Sequence, residues 1–146
     1  MASEGELSAL DRLLIGELMA RYDRALDGGD KDGFLALFAA DGSWVSPMMG
    51  SFNGRAEIAA WFDTYLAGDP GLRGGQHRVS NLIVDPAGPG RATAWSNWVL
   101  IAAGPGGPRP LLMGNYLDDL IADEGRWLFA RREIELTASA ADSDHT

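Results

Sequence analysis

The sequence contains no cysteine and only two histidines, His77 and His145. The first absence removes disulfides, thiolate nucleophiles and cysteine metal sites, and the second leaves too few imidazoles for a histidine-rich one. No metal is expected. No serine stands in a nucleophile elbow, and Gly104-Pro105-Gly106-Gly107 lacks the lysine and the strand-to-helix setting of a phosphate loop, so its prolines suit a hairpin turn. Basic residues are short, 12 against 21 acidic ones, and the net charge of -9 argues against a nucleic-acid or anionic-membrane partner. Apolar residues are spaced rather than continuous, and Met1-Ala2-Ser3-Glu4-Gly5-Glu6 has no basic n-region. Neither a signal peptide nor a membrane span is read, and cytoplasmic residence is the default expectation.

What the chain does have is enough apolar material, 46% of 146 residues, for one domain with a real core. Leu7, Leu10, Leu14 and Leu18 recur at helical spacing, with Ile15, Met19, Tyr22 and Leu26 widening the stripe, so 8–28 reads as an amphipathic helix. Ser8 and Asp11 offer its N-terminal cap, and Gly28-Gly29 its stop. Asp30 caps a short second helix through Phe34, Leu35, Leu37 and Phe38. Asp41-Gly42 turns into a strand at Ser43-Trp44-Val45-Ser46, and Asn53-Gly54 precedes a third helix from Arg55 to Ala67. Gly68-Asp69-Pro70-Gly71 breaks that helix. Four strand-like runs follow at 76–85, 91–103, 111–122 and 126–137, separated by Gly/Pro and Asp/Gly turns, which makes a meander. Helices first and an antiparallel sheet after them predict an α+β domain over 8–137, with a flexible start at 1–7 and a disordered tail at 138–146. Trp95 and Trp98 lie on opposite faces of one strand, so both faces need cover, one from the helices and the other from a second copy; a homo-oligomer, dimer or trimer, is expected.

His77 opens the third-helix-to-sheet strand, Gly75-Gln76-His77-Arg78-Val79, and is the one histidine placed to sit inside the fold. Histidine as a residue type changes charge near neutral pH, so this one is either a proton-transfer group or a histidine that satisfies hydrogen bonds where strand meets loop. On the first helix, Asp23 lies beside Tyr22 at the edge of the apolar stripe, whereas Asp27 points about 40° further towards solvent. Asp23 is the better-buried carboxylate, either a partner for His77 or a surface acid. In the last strands Asn115 interrupts Leu111, Met113 and Leu117, and Arg132 interrupts Leu128, Ala130, Ile134 and Leu136. Each either looks into a cavity to hold substrate or, for Arg132, pairs with Asp118, Asp119 or Glu133. Tyr22, Trp44, Trp61, Tyr65 and Tyr116 are either pocket lining or core.

In this order of elements, with Tyr22-Asp23 on the first helix, Gly68 to His77 leading into the histidine strand and Gly125-Arg126-Trp127 before the last one, the chain resembles the SnoaL-like branch of the NTF2-like superfamily. More narrowly it is similar to scytalone dehydratase and its bacterial relatives, over residues 8 to about 136. The resemblance implies a cone-shaped barrel of three N-terminal helices on a curved, mostly antiparallel sheet, no cofactor, and an Asp-His pair moving a proton on a small hydrophobic carbonyl compound. Carried over, His77 is the base, Asp23 orients it, Tyr22 polarises the carbonyl, and Asp27 stands where bile-acid dehydratases place the acid. The second pocket histidine of scytalone dehydratase is missing, since the next strand offers Ser96, Asn97 and Trp98, which puts scytalone itself in doubt. A lyase or isomerase is the leading expectation, a polyketide cyclase the alternative from the same chemistry, and a non-catalytic ligand-binding domain the third.

Overall fold

The computed structural model describes residues 5–68 and 74–140. The Asp69-Pro70-Gly71 break, the first four residues and the expected tail from 141 onward, His145 included, lie outside the described residues. Helix α1 spans Ala9–Gly28 and begins with a reciprocal capping box. The Ser8 hydroxyl accepts from the Asp11 N–H at 3.0 Å, and the Asp11 carboxylate accepts from the Ser8 N–H at 2.9 Å. That backbone bond, with one from the Trp127 indole, holds the Asp11 carboxyl below its ordinary range. Leu7, just before the cap, packs against the core rather than standing free. Gly29, at φ 69°, takes the left-handed turn that ends the helix.

Helix α2, Lys31–Leu35, is capped by Asp30, which accepts from the Gly33 N–H at 3.0 Å. It stops earlier than its apolar spacing suggests. The Leu37 carbonyl accepts from the Phe129 N–H at 2.8 Å and Phe38 already pairs with Phe129, so strand pairing overrides helix continuation. Strand β1, Phe38–Ser46, therefore begins before the expected Ser43, with Asp41-Gly42 inside an irregularity of that pairing. Strand β2, Gly50–Asn53, and helix α3, Gly54–Ala67, follow, then β3, Gln76–Pro86, β4, Arg91–Ala102, β5, Arg109–Asp123, and β6, Arg126–Ser139. The end of β6 takes up Ala138 and Ser139 as partners of Met113 and Leu112, two residues of the segment expected as tail.

The six strands form one sheet in the order β2-β1-β6-β5-β4-β3, antiparallel throughout except for the parallel β1/β6 pair. It is curved and unclosed, with β2 and β3 as its edges, and the three helices pack on it. Ile15, Met19 and Tyr22 of α1, Phe34 of α2 and Ile58 and Phe62 of α3 are essentially inaccessible and meet Leu120 and Phe129 of the sheet. No helix among the described residues is long and apolar enough to cross a membrane. The opposite sheet face leaves Ile83, Trp95 and Met113 exposed around a side-chain amide ladder, Asn81 to Asn97 to Asn115.

Gly114 sits where the β5/β6 register shifts. A side chain there would overlap the Glu135 carbonyl and crowd the Trp98 indole nitrogen, which donates to the Asn115 carbonyl at 3.2 Å. Because the obstacle is backbone, relief requires the two central strands to part. Gly114→Ala is expected to lower unfolding free energy by about 2 kcal/mol or more, read as a shift of the urea midpoint. An unchanged midpoint would show that the two strands yield without cost.

Candidate functional site

Asp27 and His77 meet where the last turn of α1 faces the start of β3. The His77 backbone N–H donates to Asp27 Oδ2 at 2.9 Å, and the ring Nδ1 lies 2.6 Å from Asp27 Oδ1. A carboxylate only accepts, so the proton of this bond sits on Nδ1 and Nε2 is left as the basic nitrogen. Among the described residues Nε2 has no hydrogen-bond partner, and the His77 side chain is 9% exposed. The expected Asp23 contact is corrected: Asp27 holds the ring. Although Asp27 points further from the apolar stripe, β3 packs against this flank of α1 and reaches past the stripe.

Asp23, one turn earlier, is 8% exposed, and its buried Oδ1 has no hydrogen-bond partner among the described residues. Burial raises its carboxyl from 3.8 to about 6, with His77 and Arg132 pulling it down and Asp27 pushing it up. It is a strained second acid beside the pair.

His77 shares a cavity of about 140 Å³ with Tyr22, Trp44, Trp61, Tyr65 and Tyr116. Trp44 stacks on Trp61 at 3.9 Å between centroids, and Trp98 on Tyr116 at 5.7 Å, so the walls are flat and aromatic. The Tyr22 hydroxyl accepts from the Trp44 indole at 2.8 Å, which frees its own proton to be donated elsewhere. The Tyr116 hydroxyl has no hydrogen-bond partner among the described residues, and burial raises both phenols above their ordinary value. Burial, then Asp27, likewise pushes Tyr65 up to about 12.

Two expected lining residues lie elsewhere. Asn115 points to the outer face and joins the amide ladder, because the row Leu111, Met113, Asn115, Leu117 is the outer row of β5 while Tyr116, Asp118 and Leu120 are buried inside. Arg132 is fully buried below the cavity, bonded through Nε and Nη2 to Asp118 at 2.9 and 3.1 Å. Sequence reasoning missed Ser46, Met48, Met49 and Trp98 as lining. Ser46 was signalled by alternation, since it shares the inner row of β1 with Trp44; the two methionines follow it in the β1–β2 turn, which no periodicity describes. Among the described residues no cluster of three or more His, Asp or Glu could hold a metal ion.

These features define an α+β pocket protein in which one histidine, clamped by a carboxylate, borders an apolar cavity. The chain belongs to the SnoaL-like domain family, whose model matches residues 8–133. It is similar to a Nostoc punctiforme protein of unknown function with a cystatin-like fold, at 30% identity, covering 92% of this chain and 96% of that one with TM-score 0.81. It is also similar to an NTF2-like protein with a cystatin-like fold from Novosphingobium aromaticivorans, at 29% identity, 92% and 88% coverage and TM-score 0.78. A scytalone dehydratase candidate from the same species shares the fold, at 23% identity, 90% and 87% coverage and TM-score 0.78. No curated protein sequence matches the chain.

The raised Asp23 carboxyl makes stability depend on pH in a defined sense. Ionising Asp23 costs the native state more than the unfolded one, so this penalty is absent below about 4, grows as pH rises, and is complete above about 6. Asp23→Asn should therefore be more stable than the parent above pH 6, by about 2 to 3 kcal/mol at most, with the difference shrinking towards zero at pH 4. Paired denaturant titrations across this range check it, and a difference independent of pH would contradict the assigned burial of the charge.

Proposed function

We propose that the protein is a cofactor-independent lyase or isomerase that moves a proton on a small, flat, hydrophobic carbonyl compound. The observation that carries this reading is the Asp27–His77 pair with its free Nε2 beside an aromatic cavity. In the reaction, Nε2 removes a proton from the carbon α to the carbonyl, and the electron pair moves to the carbonyl oxygen. Asp27 fixes the tautomer and stabilises the imidazolium. The Tyr22 and Tyr116 hydroxyls donate to the resulting enolate oxygen. If a β-hydroxyl is present, the imidazolium gives the proton to it, the carbonyl re-forms, and the electron pair makes the new carbon–carbon double bond as water leaves; if the substrate instead carries a β,γ double bond, the imidazolium gives the proton to the γ carbon and the double bond shifts into conjugation.

Membership of the SnoaL-like family favours a second reading, in which the enolate carbon attacks another carbonyl of a polyketide and closes a ring. The first base step is shared, so products separate the readings: loss of water, a shifted double bond, or a new carbon–carbon bond. Trp44, Trp61 and Tyr65 hold the substrate through apolar contact in either case.

His77→Ala is expected to lower kcat by about a hundredfold to ten-thousandfold on the true substrate, with the fold retained. Asp27→Ala should impair kcat strongly, whereas Asp23→Asn should do so far less, because only Asp27 holds the ring. A chelator should leave the rate unchanged. Near-parental turnover by His77→Ala would reject the mechanism, and undiminished binding with no conversion by either protein would establish a ligand-binding domain instead.

A further inference from the structure

Arg132 is completely buried, yet the reaction above gives it no contact with substrate. Its guanidinium carbon lies 3.6 Å from the ring centroid of Tyr116, 4.2 Å from that of Tyr22 and 4.4 Å from that of Phe129. Asp118 takes Nε and Nη2, and Nη2 also meets the Met19 sulfur at 3.1 Å. A buried ion pair seldom stabilises a fold more than apolar residues of the same volume would, so stability alone does not account for the pair. Its position does offer an account. The cation rests on the faces of two tyrosines that line the cavity.

We propose that Arg132, held by Asp118, is a positioning residue for the proton transfer that acts through the rings of Tyr22 and Tyr116 and strengthens their hydroxyls as donors to an enolate oxygen. This rests on the proposed reaction. As negative charge gathers on that oxygen, the phenols share part of it and their rings become more attractive to the cation beneath them. The interaction is thus stronger in the transition state than with bound substrate, which is the condition for accelerating the step. Burial raises both phenols, and Arg132 works in the opposite sense, outweighing the Asp118 carboxylate at each.

The test uses 2-naphthol, a flat phenol whose ionised form mimics the enolate and has its own fluorescence. It is bound to the full chain carrying His77→Ala, so that no base in the cavity takes its proton. With Arg132 and Asp118 present, the bound naphthol should be about tenfold more acidic than in the same chain with Asp118→Leu and Arg132→Met. Equal acidity in the two chains overturns the proposal. The tyrosines give a second check in the same His77→Ala chain: if neither Tyr22→Phe nor Tyr116→Phe makes the bound naphthol less acidic, the phenols do not carry the effect and the proposal is overturned. In the otherwise native chain the double substitution should lower kcat about tenfold with KM little changed, whereas a structural role would move only the thermal midpoint. Turnover that survives His77→Ala counts against the base assignment and leaves the naphthol comparison intact, so the two failures are distinguishable.

Discussion

The site depends on one carboxylate that makes two bonds. Asp27 accepts from both the backbone N–H and the ring Nδ1 of His77, and so ties the last turn of α1 to the first residues of the edge strand β3. The backbone bond fixes where β3 starts, and the ring bond fixes how its histidine is turned. Without the first, the start of β3 would have β4 as its one strand neighbour, since its other side is a sheet edge, and its tie to α1 would rest further along, where Arg12 donates to the Val84 carbonyl at 2.8 Å. Without the second, the imidazole would be free to exchange tautomers and present either nitrogen to the cavity. Charge-assisted bonds of this kind are worth roughly twice neutral ones, which suits a contact that holds an edge in place.

Around that contact the polar groups are arranged in depth. The Tyr22 ring, its hydroxyl fixed by the Trp44 indole, lies on the Arg132 guanidinium, and Asp118 lies beyond it. Burial alone would lower the Arg132 pKa, but the Asp118 carboxylate beside it raises it above its ordinary value. Burial raises the Asp118 carboxyl, and the guanidinium pulls it back. The pair therefore holds its charges by contact rather than by solvent, and its Nη1 still has no acceptor among the described residues. Asp23 is the counter-example on the same helix. It is buried without a bond to its Oδ1, and the helix bears that cost next to the histidine.

Much of the fold was legible because its signals are local. The Ser8–Asp11 box, the Asp30 cap and the Gly29 stop are chemistry within four residues, and the strands of the meander are long enough for turn residues to bracket them. The site was legible in composition more than in pairing. The expected residues Tyr22, Trp44, Trp61, Tyr65, Tyr116 and His77 all border one cavity. The choice between Asp23 and Asp27 was not readable, because helical arithmetic measures distance from the apolar stripe and says nothing of how far a strand 50 residues away overhangs it. Asn115 went to the wrong face for a related reason. Both rows of β5 are largely apolar, so alternation alone does not say which row is inside. Arg132 was correctly seen as an intruder among apolar residues, and its partner was settled by the β5/β6 register, which sets Asp118 opposite it.

The central claim is that Asp27 holds His77 with its proton on Nδ1 and its lone pair on Nε2. Nitrogen-15 NMR of the full chain labelled at histidine, above the pH at which the ring is charged, reads this directly. The account predicts one dominant tautomer for His77, with a protonated Nδ1 shifted by a strong hydrogen bond and a bare Nε2, giving way to a tautomer mixture in Asp27→Ala. A His77 ring protonated on Nε2, or one averaging between tautomers in the unaltered chain, would contradict it.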